Sequence, residues 1–281
     1  MRKIAVIPTL LTLGNAVCGF SSIAIASSIK GDDADANLCY MLSSVLIFAA
    51  MIFDALDGYA ARLARSVSEF GKELDSLCDA VSFGVAPAFL LLCIGQGWQG
   101  WQGNDRALQV IRVIAALYMV CAILRLARYN VEKSPDPSAG KRFKGLPSPA
   151  AAGCVATLGL LRSGYGVEWN GLTRSMLADF VATWAPLGTL LVALLMVSSV
   201  PFPHLVKHLT QRRRRHFGVV VQAVLVVFVI ALTRGLALAL FFWAYALAFP
   251  IRSMIVSRRR PNASDETHGI DWMDEGEVVG K

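Results

Sequence analysis

Four aspartates carry the chemistry most visible in this chain. Asp54 and Asp57 are followed by Gly58, Ala61 and Arg62, and Gly71 precedes Asp75 and Asp79. On a helix, residues at i, i+3, i+4 and i+7 share a face, so Asp54, Asp57, Gly58 and Ala61 align, and Asp75 and Asp79 align on a second face. An uncharged run from Leu38 to Phe53 leads into the first pair, and one of equal length from Ala80 to Gly95 leads away from the second. At 1.5 Å per residue each run is about 24 Å long, which sets all four carboxylates at one depth, near one edge of a ~30 Å hydrocarbon core. The short connection between the two helices makes them antiparallel neighbours.

Carboxylates that converge at such a depth repel one another and are costly unless paired or metal-bound. A donor set of carboxylate oxygens, with no His or Cys, selects a hard ion: Mg²⁺ or Mn²⁺, then Ca²⁺, rather than Zn²⁺. Four Asp can hold two ions about 4 Å apart, an arrangement that grips a phosphate or pyrophosphate during in-line displacement. Two other readings compete. The aspartates could form interfacial ion pairs with Arg62, Arg65 and Lys72, or they could belong to a cation transporter, although transporter sites lie near the midplane rather than the edge. Gly58, Ala61 and Gly71 would leave a depression beside the carboxylates, where a flat base or ribose could lie; each of them alone would equally suit close helix packing.

The elements that position these residues follow from composition. The chain has 281 residues, 55% of them apolar and 17% charged, with a mean hydropathy of +0.53. So little charge cannot cover a water-facing shell, which excludes a soluble globular enzyme. Eight apolar runs, at 7–29, 38–62, 75–97, 106–128, 147–163, 178–202, 217–233 and 235–253, predict an all-α polytopic membrane protein with about eight transmembrane helices. The first run extends too far for a signal peptide and is read as a retained span. Arg2 and Lys3, Arg62 to Lys72, Arg125 to Lys144, Lys207 to Arg215, and Arg252 to Arg260 fall on alternate loops or ends, while the opposite loops hold little more than Lys30, Arg106, Arg162, Arg174 and Arg234. Both termini and the carboxylates are thereby predicted on the cytoplasmic side of the cell membrane. The net charge of +7 fits an anionic membrane face and calls for no nucleic acid. Six cysteines without a CxxC pair read as small buried hydrophobes.

Asp54, Asp57, Gly58, Ala61, Arg62, Gly71, Asp75 and Asp79 match the pattern DxxDGxxARx8Gx3Dx3D at every fixed position. The chain thereby resembles the CDP-alcohol phosphatidyltransferases. That resemblance implies a six-helix catalytic core over residues 1–202; the apolar runs append two further helices over 203–257, and the composition of 258–281 marks a disordered cytoplasmic tail. The resemblance further implies that Asp54, Asp57, Asp75 and Asp79 hold two divalent cations, and that Gly58, Ala61, Arg62 and Gly71 border the cytidine and pyrophosphate of a CDP-lipid. Asp79 would also take the acceptor hydroxyl proton. A metal-bound carboxylate is a weak base, which is tolerable where proton loss lags P–O cleavage in a loose transition state. Family members are commonly homodimers, and a homodimer is expected here on that ground.

Ser68–Ala88, Ile7–Asn15, Arg125–Val131 and Phe143–Ala150 are similar, in the same order, to the membrane-bound phosphatidylserine synthase subfamily. The implied reaction takes CDP-diacylglycerol and L-serine to phosphatidylserine and CMP, with glycerol 3-phosphate or inositol as alternative acceptors. A serine carboxylate needs a cation and donors. Arg128, Asn130 and Arg125 are the candidates, Arg128 and Asn130 preferred over Arg125; at least one of the two arginines would anchor the helix end. Pro147 and Pro149 predict a turn opening the fifth span, where Ser148 could line the acceptor site. Thr12 and Asn15 could reach the pyrophosphate or bond across helices.

Overall fold

The computed structural model describes residues 6–29, 34–63, 69–96, 104–132, 145–165, 171–198 and 234–258. The described residues form helices α1 (Val6–Ala26), α2 (Ala34–Leu63), α3 (Glu69–Asp79), α4 (Ala86–Gln96), α5 (Asp105–Glu132), α6 (Ser148–Arg162), α7 (Gly171–Val197) and α8 (Arg234–Arg258). A π-helical turn, Ala80–Val85, joins α3 to α4 in one continuous rod. Five helical stretches are long and apolar enough to cross a membrane: Val6–Ala26, Ala34–Ala61, Glu69–Gln96, Asp105–Val131 and Met176–Val197.

Two of the eight expected spans differ from that description, and a third cannot be compared. The run at 147–163 forms α6, whose 15 residues reach only about 22 Å, short of a ~30 Å core. Thirteen of them are buried, so α6 is walled by protein along its length. The run at 235–253 falls within α8, whose apolar stretch is Gly235–Ala248. The run at 217–233, both chain ends and the tail lie outside the described residues. The rod that carries Asp75 and Asp79 begins at Glu69, earlier than the expected 75.

Helices α1 and α2 pack antiparallel through small and hydroxyl residues. The Ser22 hydroxyl donates to Ser43 O (2.9 Å) and the Ser43 hydroxyl to Ser22 O (3.0 Å), while Gly14 makes room for the Phe53 ring. In a setting without water, these bonds satisfy groups that would otherwise be stranded. Further along the same pair, Thr12 comes beside Asp57.

The π turn has a local cause. Pro87 has no N–H to give to the carbonyl of Phe83 four residues earlier, and its ring would crowd that carbonyl in a regular α-helix. The widened turn relieves the crowding, with Ala86 N–H bonding to Val81 O. Phe83 O instead accepts the buried Tyr118 hydroxyl of α5 at 3.1 Å.

Pro147 caps α6 with Pro149 in its first turn, as the sequence predicts. Ahead of it, Gly145 has φ +92, and Leu146 N–H bonds to Leu195 O of α7 (3.0 Å). Arg162, expected in an outer loop, is instead the last residue of α6; it is buried, with its guanidinium 5.5 Å from the centre of the Tyr40 ring. All six cysteines are free, and Cys78, Cys93, Cys121 and Cys154 are buried.

Candidate active site

The two aspartate pairs meet where α2 and α3 converge beside α1. Asp54, Asp57 and Asp75 each offer a carboxylate oxygen, and these oxygens lie within 4.8 Å of one another. Asp57 is 5% exposed, and its Oδ2 is buried with no hydrogen-bond partner among the described residues. Three hard oxygen donors, one of them stranded, suit a divalent cation, so this cluster could hold a metal ion. Asp79 stands outside that trio but within electrostatic reach of all three members.

Asp79 is held from α1. The buried Asn15 side chain donates through Nδ2 to Asp79 Oδ1 at 2.9 Å. The Ser82 hydroxyl, in the π turn, donates to the backbone carbonyl of the same Asn15, also at 2.9 Å. Gly19 lies so close to Ser82 that a Cβ there would sit 2.7 Å from Ser82 Cα, which brings α1 hard against the π turn. Asp79 and Asn15 are thus clamped on both sides of the α1 contact. Thr12 is buried, donates to Pro8 O (2.9 Å) and lies beside Asp57. Thr12 and Asn15 therefore both lie against the aspartates from α1.

The small residues divide by their surroundings. A Cβ on Gly58 would meet nothing within 4 Å, which leaves open space beside Asp57. Ala61 and Gly71 are half-buried. Arg62 lies in α2, but its side chain is outside the described residues. Lys72, one of the cations weighed as an aspartate partner, pairs on the exposed side of α3 with Glu69 at 2.8 Å.

On the α5 side the two arginines differ in burial and in partners. Arg125 is half-buried and its Nη1 donates to the buried Ser148 Oγ at 2.7 Å. Its guanidinium lies 5.9 Å from the centre of the Tyr129 ring and interacts electrostatically with Asp79 and Asp54. Arg128 and Asn130 are both exposed, and Asn130 donates to Ser76 Oγ at 2.8 Å. Arg125, bonded to Ser148, thus places a cation within electrostatic reach of Asp79 and Asp54.

Residues 5–192 match the family described as CDP-alcohol phosphatidyltransferase. This chain belongs to that family. Among curated relatives of this phosphatidyltransferase, a CDP-diacylglycerol–serine O-phosphatidyltransferase of Bacillus subtilis is 34% identical over 203 residues, covering 72% of this chain and 92% of that protein. One of the same name from Mycobacterium leprae is 32% identical over 255 residues, covering 88% of this chain and 73% of that protein. An archaetidylserine synthase of Methanothermobacter thermautotrophicus is 32% identical over 199 residues, covering 70% of this chain and 69% of that protein. The aspartates, Asn15, Arg125 and Ser148 all fall within the phosphatidyltransferase match, and α8 falls beyond it.

Sequence reasoning missed Ser82 and Tyr129. The Ser82 signal was available: a hydroxyl residue three positions after the last aspartate and five before a proline that disturbs the helix. Tyr129 sits four residues after Arg125, a spacing that stacks side chains on one helix face.

Proposed function

We propose that this chain transfers the phosphatidyl group of CDP-diacylglycerol to the hydroxyl of L-serine, giving phosphatidylserine and CMP, at the cytoplasmic face of the cell membrane. The observation that carries this reading is the joining of the Asp54, Asp57, Asp75 cluster to a cationic wall, Arg125 with Ser148, in a chain whose relatives are named for serine transfer. Catalysis is assigned to the core over residues 1–202, with α8 added beyond it.

Asp54, Asp57, Asp75 and Asp79 would hold two divalent cations, Mg²⁺ or Mn²⁺, which when bound neutralise pyrophosphate charge and favour in-line displacement. The serine oxygen forms a bond to the lipid phosphorus, the bond from that phosphorus to the bridging oxygen breaks, and CMP leaves with that oxygen. Asp79 receives the serine hydroxyl proton. Asn15 fixes one oxygen of Asp79, which leaves the other to take the proton. The open surface at Gly58, bordered by Ala61, Arg62 and Gly71, receives the cytidine end. Thr12 and Asn15 lie beside the pyrophosphate, and the Arg125 guanidinium binds the serine carboxylate, with Arg128 and Asn130 at the mouth. A membrane-held CDP-lipid and a water-borne serine meet naturally at such an interface.

The test supplies purified protein with CDP-diacylglycerol and a panel of labelled alcohols. Phosphatidylserine and CMP in equal amounts are the expected products. A phosphatidylglycerol phosphate or phosphatidylinositol product would replace serine as the acceptor; cation flux into vesicles without CMP release would replace the enzyme with a transporter.

A further inference from the structure

The cationic wall of the site has a third side, contributed by a helix beyond the family match. Helix α8 runs antiparallel to α6: Gly235 lies against Leu160 and Tyr165, and Phe242, seven residues on, covers Gly153, seven residues back along α6. Cys154 Sγ lies 3.5 Å from Phe242 O, in agreement with that register. One further turn along α8 reaches the level of Ser148, where Arg125 is bound. The rotation of α8 is fixed as well. The Phe242 ring packs 5.6 Å from that of Phe48, and Trp243 fills the space left by Gly188 on α7. Tyr245 stands three residues after Phe242 and so shares its inward face. It is half-buried against the core, and its phenol and the Arg125 guanidinium interact electrostatically.

We infer that Tyr245 is a specificity-determining residue of the acceptor site, its hydroxyl joining the Arg125 guanidinium in holding the acceptor carboxylate. The inference rests on the serine reading above. Arg125 spends one N–H on Ser148 and keeps others for an anion. A neutral phenol beside it adds a donor without adding charge, so an acceptor with a carboxylate satisfies both groups. An amino alcohol without a carboxylate would gain neither of these charge-assisted bonds. Tyr129, Ser148 and Tyr245 thus frame Arg125 from α5, α6 and α8.

The experiment compares the purified full chain with Tyr245→Phe, which keeps the ring and removes only the hydroxyl. With CDP-diacylglycerol saturating, serine KM should rise about tenfold while kcat, the KM for CDP-diacylglycerol and the melting temperature without substrate stay within twofold or a degree or two. The serine concentration that half-maximally raises the melting temperature should shift by the same factor. An unchanged serine KM overturns the inference, and so does a lower melting temperature without substrate, since that outcome assigns Tyr245 to packing. Unmutated protein that releases CMP without forming phosphatidylserine defeats the serine reading itself, a failure seen before any variant is made.

Discussion

Asp75→Asn and Asp79→Asn each keep the shape of a side chain and remove its charge, so they separate chemistry from folding. Each variant should insert and fold normally. Asp79→Asn should lower the rate of CMP release by about 10²–10⁴-fold, the usual worth of a positioned base, and Asp75→Asn should abolish release by removing one member of the carboxylate trio. Turnover near normal in either variant, measured as CMP formed per mole of folded protein, would remove the shared metal site. Gly58→Leu probes the other substrate. Among the described residues no atom lies within 4 Å of a Cβ there, so a larger side chain starts into open space; it should raise the KM for CDP-diacylglycerol and leave the melting temperature unchanged. These residues were legible in the sequence because the chemistry demands charge in an uncharged stretch. That Arg125 rather than Arg128 is the half-buried one, bonded to Ser148, was not legible. Three residues along a helix turn a side chain by about 60° short of a full circle, so both arginines point broadly one way. Only the position of Ser148, brought by another helix, separates them.

Helices supply the next level of control, and the π turn is the clearest case. It follows directly on Asp79, and its Ser82 hydroxyl reaches back to Asn15. The Phe83 carbonyl, deprived of the Pro87 N–H, depends on the Tyr118 hydroxyl. Tyr118→Phe should therefore destabilise the protein by about 1–3 kcal/mol, the cost of stranding a buried acceptor, read as a lower melting temperature in detergent. An unchanged melting temperature would mean that the π turn satisfies that carbonyl internally. Apolar runs announced where the helices lie, since hydropathy alone encodes a need for lipid or core. They could not separate α6, surrounded by protein, from a helix that faces lipid, because both are apolar all round. The π turn escaped for a different reason: one proline within an apolar run has several structural solutions, and the choice depends on a tyrosine of α5.

Across the whole molecule, the distribution of cations predicts a sidedness that reporter fusions can measure. A reporter after Lys281 or within 208–216 should be cytoplasmic, and one within 100–104 should be exported. Recovery of the 100–104 fusion on the cytoplasmic side would invert the molecule and send serine in from the opposite compartment. The docking of α8 onto Gly153 and Gly188 has a consequence for how the molecule is made. A ribosome delivers Asp54, Asp57, Asp75 and Asp79 well before Tyr245, so a nascent chain carries its carboxylates before α8 can dock beside them. Gly153 and Gly188 act as keyholes in partners inserted beforehand, and the Phe242 and Trp243 rings enter them last. A chain that has inserted its aspartates but not yet docked α8 therefore lacks the Tyr245 side of the proposed acceptor site, and on that proposal it would discriminate less well among the alcohols around it.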